Sequence, residues 1–465
     1  MEHTFVTQQA THTDRYVAAF KAFEHNGAGA DPVWLRELRR NAMSNFEERG
    51  FPTARRGNEH WKYTDVRPIA EAALAPLPPE TRPGEGIDLA PYELPCPRVH
   101  QVVFVDGRYA PPLSTEPRSA AGMHLDVISR KGDGPVVGRL ADAITYGLPL
   151  AHEHLGQYAS HADNAFTALN TAFTGDGAFV HIPDGVTVVE PIYLLFISTG
   201  ASGPRVTHPR VLIVAGKDSS ATVLQSYEAS GADGAHFNNA VTEVVTNPGA
   251  SLRLYKLQRE AASAFHVATT EVALARDSRL ASATVDLGGG LVRHDINVRL
   301  AGPGASVSLH GLYLGRGQSH TDNHTFIDHM VPDTSSEETY KGIMDDSSHA
   351  VFVGHVLVRP DAQRITSHQV NKNLLLSKEA EVDTQPKLEI FADDVTCTHG
   401  AAVGQLDEDA MFYLKSRGIG ADVARGLLVH GFVNEIIEGI ADDAVRQYID
   451  EAVMERLRQQ PAVTI

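Results

Sequence analysis

Gly249–Gln258 (GASLRLYKLQ), Asp277–Leu287 (DSRLASATVDL) and Gly304–Leu314 (GASVSLHGLYL) are three versions of one short unit. Each opens on a small or turn-forming residue and runs on into β-rich sequence. Asp218–Tyr227 (DSSATVLQSY) precedes them and Asp361–Val370 (DAQRITSHQV) follows. From opener to opener the steps are 31 (249 − 218), 28 (277 − 249), 27 (304 − 277) and 57 (361 − 304), the last close to two periods. A strand–turn unit recurring at this spacing predicts a solenoid, whose turns bury their apolar faces against one another. Within the runs, Leu252, Leu254 and Leu257, and again Val307, Leu309 and Leu312, suit strands with one buried face. Long amphipathic helices are lacking here, which argues against a βαβ sheet. The expected fold is mainly β: a right-handed parallel β-helix core over 175–404, flanked by N-terminal and C-terminal helical regions. A double-sheet jelly roll is the alternative.

Residues 1–174 read as mostly helical, with a linker and short strands. Asp31-Pro32 has the form of an N-cap followed by proline at the first helical position. Val33, Trp34, Leu38, Ala42 and Phe46 then recur at about helical spacing. Leu74 to Pro97, rich in Pro, Glu and Gly, reads as a linker. Val99 to Gly107 reads as a strand and turn, and Ala162 to Phe173 as a helix ending at Gly175. Beyond Gly404 the pattern is helical again. Leu406-Asp407-Glu408-Asp409 gives an acidic first turn, Gly418-Ile419-Gly420 separates two helices, and Ala444 to Arg458 makes a third. This 405–465 region carries more apolar surface than three short helices hide alone. It is expected to dock on the solenoid end or on a partner.

The chain has 465 residues and is 42% hydrophobic, enough for a large core. Its formal charge is 40 − 58 = −18. Phosphate-backbone binding needs clustered Lys and Arg, so nucleic acid is not an expected partner. No stretch approaches the roughly 20 apolar residues of a membrane span, and the start lacks a basic segment followed by an apolar one. Cys96 and Cys397 do not make a disulfide framework, although a bond between them stays open. A soluble, reduced, cytoplasmic protein is expected.

Cys397-Thr398-His399 is the first candidate for chemistry. Positions i and i+2 of a strand share a face, and a thiolate beside an imidazole suits a transition metal or an iron–sulfur unit. Two ligands do not close a site, so others would come from elsewhere, including another chain. The bland alternative is a core cysteine beside a polar strand residue. A second cluster is His320, Asp322, His324, Asp328 and His329, where 320, 322 and 324 share a strand face. Its better reading is a polar ladder on an exposed solenoid face. Gly288-Gly289-Gly290 and Gly315-Arg316-Gly317 do not complete G-x-x-x-x-G-K-[ST] and suit solenoid turns needing positive φ. Asp345-Asp346 and Asp393-Asp394 could suggest a polysaccharide-cleaving β-helix enzyme, but adjacent residues of a strand point to opposite faces.

Several blocks together carry a family likeness. They are Lys341-Gly342, the run Gln369–Ser377 (QVNKNLLLS), Pro386–Ile390 (PKLEI), Asp393–Gly400 (DDVTCTHG) and Phe412–Ile419 (FYLKSRGI). Near the front stands Trp61–Asp65 (WKYTD). With these the chain resembles the SufB/SufD family, scaffold subunits of the SufBCD iron–sulfur cluster assembly complex. SufB-like members typically carry more cysteines, and the two here favour the SufD branch over SufB. The resemblance implies a noncatalytic scaffold that forms a heterodimer with a SufB paralogue, edge to edge. It implies that the C-terminal helices dock SufC, an ABC ATPase, with no nucleotide bound directly by this chain. It also implies a nascent iron–sulfur cluster shared with SufB at that interface. His399 would then be the ligand, with Cys397 placed to assist. Cys96 is given no role.

Overall fold

The computed structural model describes residues 2–458, apart from 27, 29, 30, 56, 57, 73, 75–83, 116–124, 128–133, 201, 202 and 232–234. Two sheets face one another and are wound from alternate strands of one parallel solenoid. The first sheet runs β2 (Arg108–Tyr109), β1 (His100–Val105), β6 (Ile192–Ser198), β9 (Ser220–Ala229), β11 (Ser251–Arg259), β13 (Arg279–Asp286), β15 (Ser306–Gly315), β17 (Ser335–Met344), β19 (Ile365–Leu375), β21 (Val395–Gly404). The second runs β3 (Leu125–Val127), β4 (Val136–Arg139), β5 (Gly177–Ile182), β8 (Arg210–Ala215), β10 (His236–Thr246), β12 (Phe265–Leu274), β14 (Leu291–Leu300), β16 (His320–His329), β18 (His349–Val358), β20 (Glu381–Ile390). A short β7 (Arg205–Thr207) also pairs with β10. The parallel β-helix expected from the repeat is therefore present, and the jelly roll is not.

The openers of the repeat are the corners before the first sheet. Asp218, Gly249, Asp277, Gly304, Asp333 and Arg364 have φ of 53°, 76°, 56°, 78°, 60° and 57°. Glycine takes this left-handed region freely and Asp tolerates it, which is why the openers are mostly these types. Each corner N–H donates to the next turn: Gly249 to Arg276 O and Asp277 to Pro303 O, both at 2.9 Å. The long step in the sequence hides one corner, Asp333, and the next is Arg364 rather than Asp361. Gly289 and Gly317 also have positive φ, of 85° and 65°, as turns.

Strand alternation sends one row of side chains between the sheets. Val223, Leu252, Leu280, Val307, Ile296 and Phe352 are among those buried there. Two tyrosines fit into this layer only because their lateral neighbours are glycines. Gly311 pairs in register with Tyr340, and Tyr313 with Gly342. A Cβ on Gly311 would stand 2.1 Å from the Tyr340 ring. Gly311→Ala is expected to lose about 1–3 kcal/mol through overpacking. Urea unfolding checks this, with a lower midpoint at unchanged slope as the expected result.

The outer faces are covered by helices from both ends of the chain. α1 (Glu2–His25), α2 (Val33–Arg49) and α6 (Ala165–Ala172) pack with Trp61 over Phe237, Val267 and Leu291 of the second sheet. α3 (Arg67–Glu71) follows Trp61, while α4 (Leu140–Thr145) and α5 (Pro149–His154) lie over Phe179 and Leu212. Asp31 does not cap α2; Pro32 holds that position and Asp31 pairs with Arg39 at 2.6 Å. The first sheet is covered by α8 (Ala421–Glu438) and α9 (Asp443–Arg458), through Val433, Ile436, Ile449 and Val453 on Tyr255, Leu257 and Leu312. Lys341 clasps α8, donating to Phe432 O at 2.8 Å. α7 (Glu408–Ser416) buries none of its residues. The C-terminal helices thus dock on a sheet face rather than on the solenoid end. Part of the expected linker, 75–83, lies outside the described residues. Its later part is anchored: Tyr92 and Leu94 are buried and Tyr92 donates to Ala229 O at 2.8 Å.

Candidate metal centre

Cys397 and His399 lie on β21, the last strand of the first sheet. Among the described residues β21 pairs only with β19, and the adjacent β20 only with β18, so both leave a free hydrogen-bonding edge at one end of the solenoid. Ser367 and Cys397 are register partners, and so are Gln369 and His399. Ser367 and Gln369 are buried between the sheets, so alternation puts Cys397 and His399 on that same interior-facing row. Cys397 packs on the core and is half-buried; His399, one step outward, is exposed. Burial pushes the Cys397 thiol up, against a smaller lowering by the Ser367 backbone. The thiol is therefore not pre-ionised, and a metal would have to displace its proton. Cys96 and Cys397 are both free.

Among the described residues no group of three His, Cys, Asp or Glu comes together to hold a metal. Cys397 and His399 share a strand face as two donors, and among the described residues no third His, Cys, Asp or Glu joins them. A soft sulfur and a borderline nitrogen are donor types that suit iron, but two donors do not close a site.

Behind the pair, the solenoid interior is polar. Gln369 Nε2 donates to Glu338 Oε2 at 2.6 Å. Burial pushes the Glu338 carboxyl up to about 7, opposed by Gln369 and Thr325. Deeper in, Lys256 Nζ lies 3.3 Å from His294 Nδ1, and His294 Nε2 lies 2.8 Å from Asp286. Burial brings Lys256 down to about 8. Beside it is a cavity of about 20 Å³ lined by Gln225, Thr270, Ser282 and Thr284, enough for about one water. None of these interior groups was singled out as a site from the sequence. The legible signal was Gln369, Asn371 and Asn373, polar residues at period two in a run that otherwise reads as core.

The His320 cluster has another task. It is a buried anchor on the outer face of the second sheet, not an exposed ladder. Asp322 accepts from Arg293 Nη1 at 2.6 Å and from the Thr64 hydroxyl, and lies 2.9 Å from His324 Nε2. Thr64 also meets His320 Nε2 at 2.8 Å. Arg293 pairs with Asp295 at 2.7 Å, donates to His60 O at 2.8 Å and stacks 3.9 Å over Trp61. The Arg293 guanidinium and the two histidines outweigh burial and hold the Asp322 carboxyl well below the usual range. Burial brings His320 down to about 4. His329 faces the interior instead, against Thr334 and Ser336, and Asp328 pairs with Arg359 at 2.7 Å. The Trp61–Asp65 block and the histidine cluster are two halves of one contact.

A family model described as "SUF system FeS cluster assembly, SufBD core domain" matches residues 196–432, and one described as "SufBD protein N-terminal region" matches 122–194. The iron–sulfur cluster assembly protein SufD of Escherichia coli is 31% identical over 412 residues, 88% of this chain and 90% of that one. The chain belongs to the SufBD family of iron–sulfur cluster assembly proteins. A SufBD family protein of Synechocystis is also 31% identical, over 82% of this chain and 83% of its own length. A chloroplast protein of Arabidopsis thaliana, ABCI7, is 29% identical over 95% of this chain and 90% of its own length. The SufBD core match takes in β21 with Cys397 and His399, all of α7 and part of α8. α9, which is buried against the same sheet, lies beyond it. No helix among the described residues is long and apolar enough to cross a membrane.

Proposed function

We propose that this SufD homologue is a noncatalytic, cytoplasmic scaffold on which an iron–sulfur cluster is built together with a SufB-type paralogue. The observation that carries this reading is the uncovered solenoid end. The outer faces of the earlier turns are covered by helices, whereas β20 and β21 keep free edges, β20 with half-buried or exposed side chains and β21 with mostly exposed ones. Exposed edge strands are a liability unless another chain pairs with them. The same end carries Cys397 and His399, two ligands of an incomplete set. Edge pairing with a paralogue would bring the missing ligands to them. The cluster is cargo on this reading, formed at the interface and passed on.

A SufC-type ABC ATPase would dock on α7 and the start of α8. Phe412 and Tyr413 are 73% and 57% exposed there, and Val423 and Leu427 are exposed beside them. Closure of the ATPase would pull on this lever and shift the paralogue interface between two packings. Deleting everything past Gly404 would not test this, because it would strip α8 and α9 from the apolar face they cover. Phe412→Asp is the cleaner variant. It is expected to abolish capture of the ATPase, keep the paralogue and leave the melting temperature unchanged, since the side chain is already in water. Retained ATPase capture would contradict docking on α7.

The first test is what co-purifies with the chain, tagged at its N-terminus, from anaerobic native extract. An ABC ATPase and a cysteine-richer paralogue at stoichiometric levels support the scaffold reading. The chain alone would contradict it.

A further inference from the structure

Glu338 on β17, Gln369 on β19 and the position of His399 on β21 form one lateral row. Glu338 and Gln369 are register partners, as are Gln369 and His399. Gln369 is fully in the interior, and room for its amide is left by Gly354 opposite, where a Cβ would stand 2.1 Å from Nε2. Gln369 Nε2 donates to Glu338 Oε2, the amide orientation that an ionised carboxylate at 338 requires. The two amide atoms leave Cδ on opposite sides. With the nitrogen bound to Glu338 on β17, the oxygen lies on the other side of the amide, and the strand on the other side of β19 is β21. That oxygen is buried and without a partner. A buried acceptor without a donor is destabilising, and a donor arriving from the next strand would relieve it. The side chain that follows in the row is an imidazole.

We propose that Gln369, held by Glu338, is the positioning residue for His399: its Oε1 accepts one imidazole N–H and leaves the other ring nitrogen bare for the metal. The inference rests on the reading of His399 as a cluster ligand. A histidine that binds metal is oriented by the acceptor on its other nitrogen, and losing that acceptor weakens metal binding about 10–100-fold. An amide is neutral, so it fixes the tautomer without adding charge to the site. His399 is exposed in the uncovered chain, and the bond forms as a partner closes over β21 and folds the ring inward.

The test uses the assembled complex, isolated anaerobically from cells expressing all its subunits. Cluster absorbance per complex and the reduction potential of the loaded cluster are measured in four forms: unaltered, His399→Ala, Gln369→Leu, and the swapped pair Glu338→Gln with Gln369→Glu. Gln369→Leu is expected to lower cluster loading at least tenfold at limiting iron and to raise the potential of what does load. The swapped pair keeps an amide donating to a carboxylate and leaves a carboxylate oxygen for the imidazole. It is expected to restore loading with a potential below that of the unaltered complex. Loading and potential unchanged in Gln369→Leu, while His399→Ala stays empty, would overturn the positioning role and leave His399 a ligand. Loss in Gln369→Leu with no recovery in the swapped pair would also overturn it, marking Gln369 as packing alone. Normal loading in His399→Ala would remove the reading on which the inference stands.

Discussion

In the His399→Ala variant the complex is expected to assemble in normal yield and to remain without cluster. The two halves of this expectation have separate causes. His399 is exposed and no contact of its side chain supports the fold, so its removal should cost little stability, as for most surface substitutions. Pairing at this end would be carried by the backbone groups of β20 and β21, which alanine keeps. The ligand count is a different matter. On the proposed reading this chain offers two donors to the site, His399 and Cys397, and burial pushes the Cys397 thiol up. Without the imidazole, the chain's share falls to one reluctant sulfur. Build-up of the charge-transfer absorbance on addition of ferrous iron and a sulfur source is the measurement. Build-up at the normal rate would mean that His399 is not a ligand. A Cys397→Ala variant is expected to be slowed rather than empty, because the more accessible donor remains.

Arg293→Met is expected to destabilise the fold by about 3–5 kcal/mol. The guanidinium is 2% exposed and sits between Asp295 and Asp322, both within 2.7 Å. Methionine fills much of the volume but leaves Asp322 with Thr64, His324 and the nearby His320 in place of a guanidinium. A buried carboxylate stripped of its main counter-charge is the costly outcome; a pair replaced as a whole is not. Arg293 is the main influence that holds the Asp322 carboxyl low, so in its absence burial pushes that carboxyl up, and lowering the pH should relieve part of the loss by protonating it. The ring of Trp61 loses its cation and His60 O loses its donor at the same time. The segment around Trp61–Asp65 should therefore open first. Urea unfolding gives the size of the effect, and faster limited proteolysis near this segment gives its place. A loss below about 1 kcal/mol would mean that the segment is held by apolar packing alone. Arg293→Met with Asp322→Asn should recover part of the loss, because the unpaired charge goes too.

The sequence by itself determined the solenoid. Its signal is local: a residue able to take positive φ, then about ten residues alternating in and out, repeated every 27 to 31 positions. Nothing distant has to be known to read that, since each turn rests on the turn before it. Where the reading slipped, at Asp361 in place of Arg364, the corner had neither glycine nor aspartate to mark it. The pairing of Cys397 with His399 on one strand face was legible for the same reason, and so was the family. What only the tertiary structure decided depends on lateral register and on what covers each face. Thr64 and Asp322 are 258 positions apart, and no periodicity announces that WKYTD lands on the His320 cluster. The apolar face of α8 and α9 could equally have met a partner; the uncovered row of Tyr255, Leu257 and Leu312 took it first. Gln369 shows the limit most clearly. Its period-two polarity was visible, but that it joins Glu338 to the row of His399 follows from offsets of 31 and 30 residues between successive turns. A shift of one residue in either turn would have sent its side chain to the opposite face.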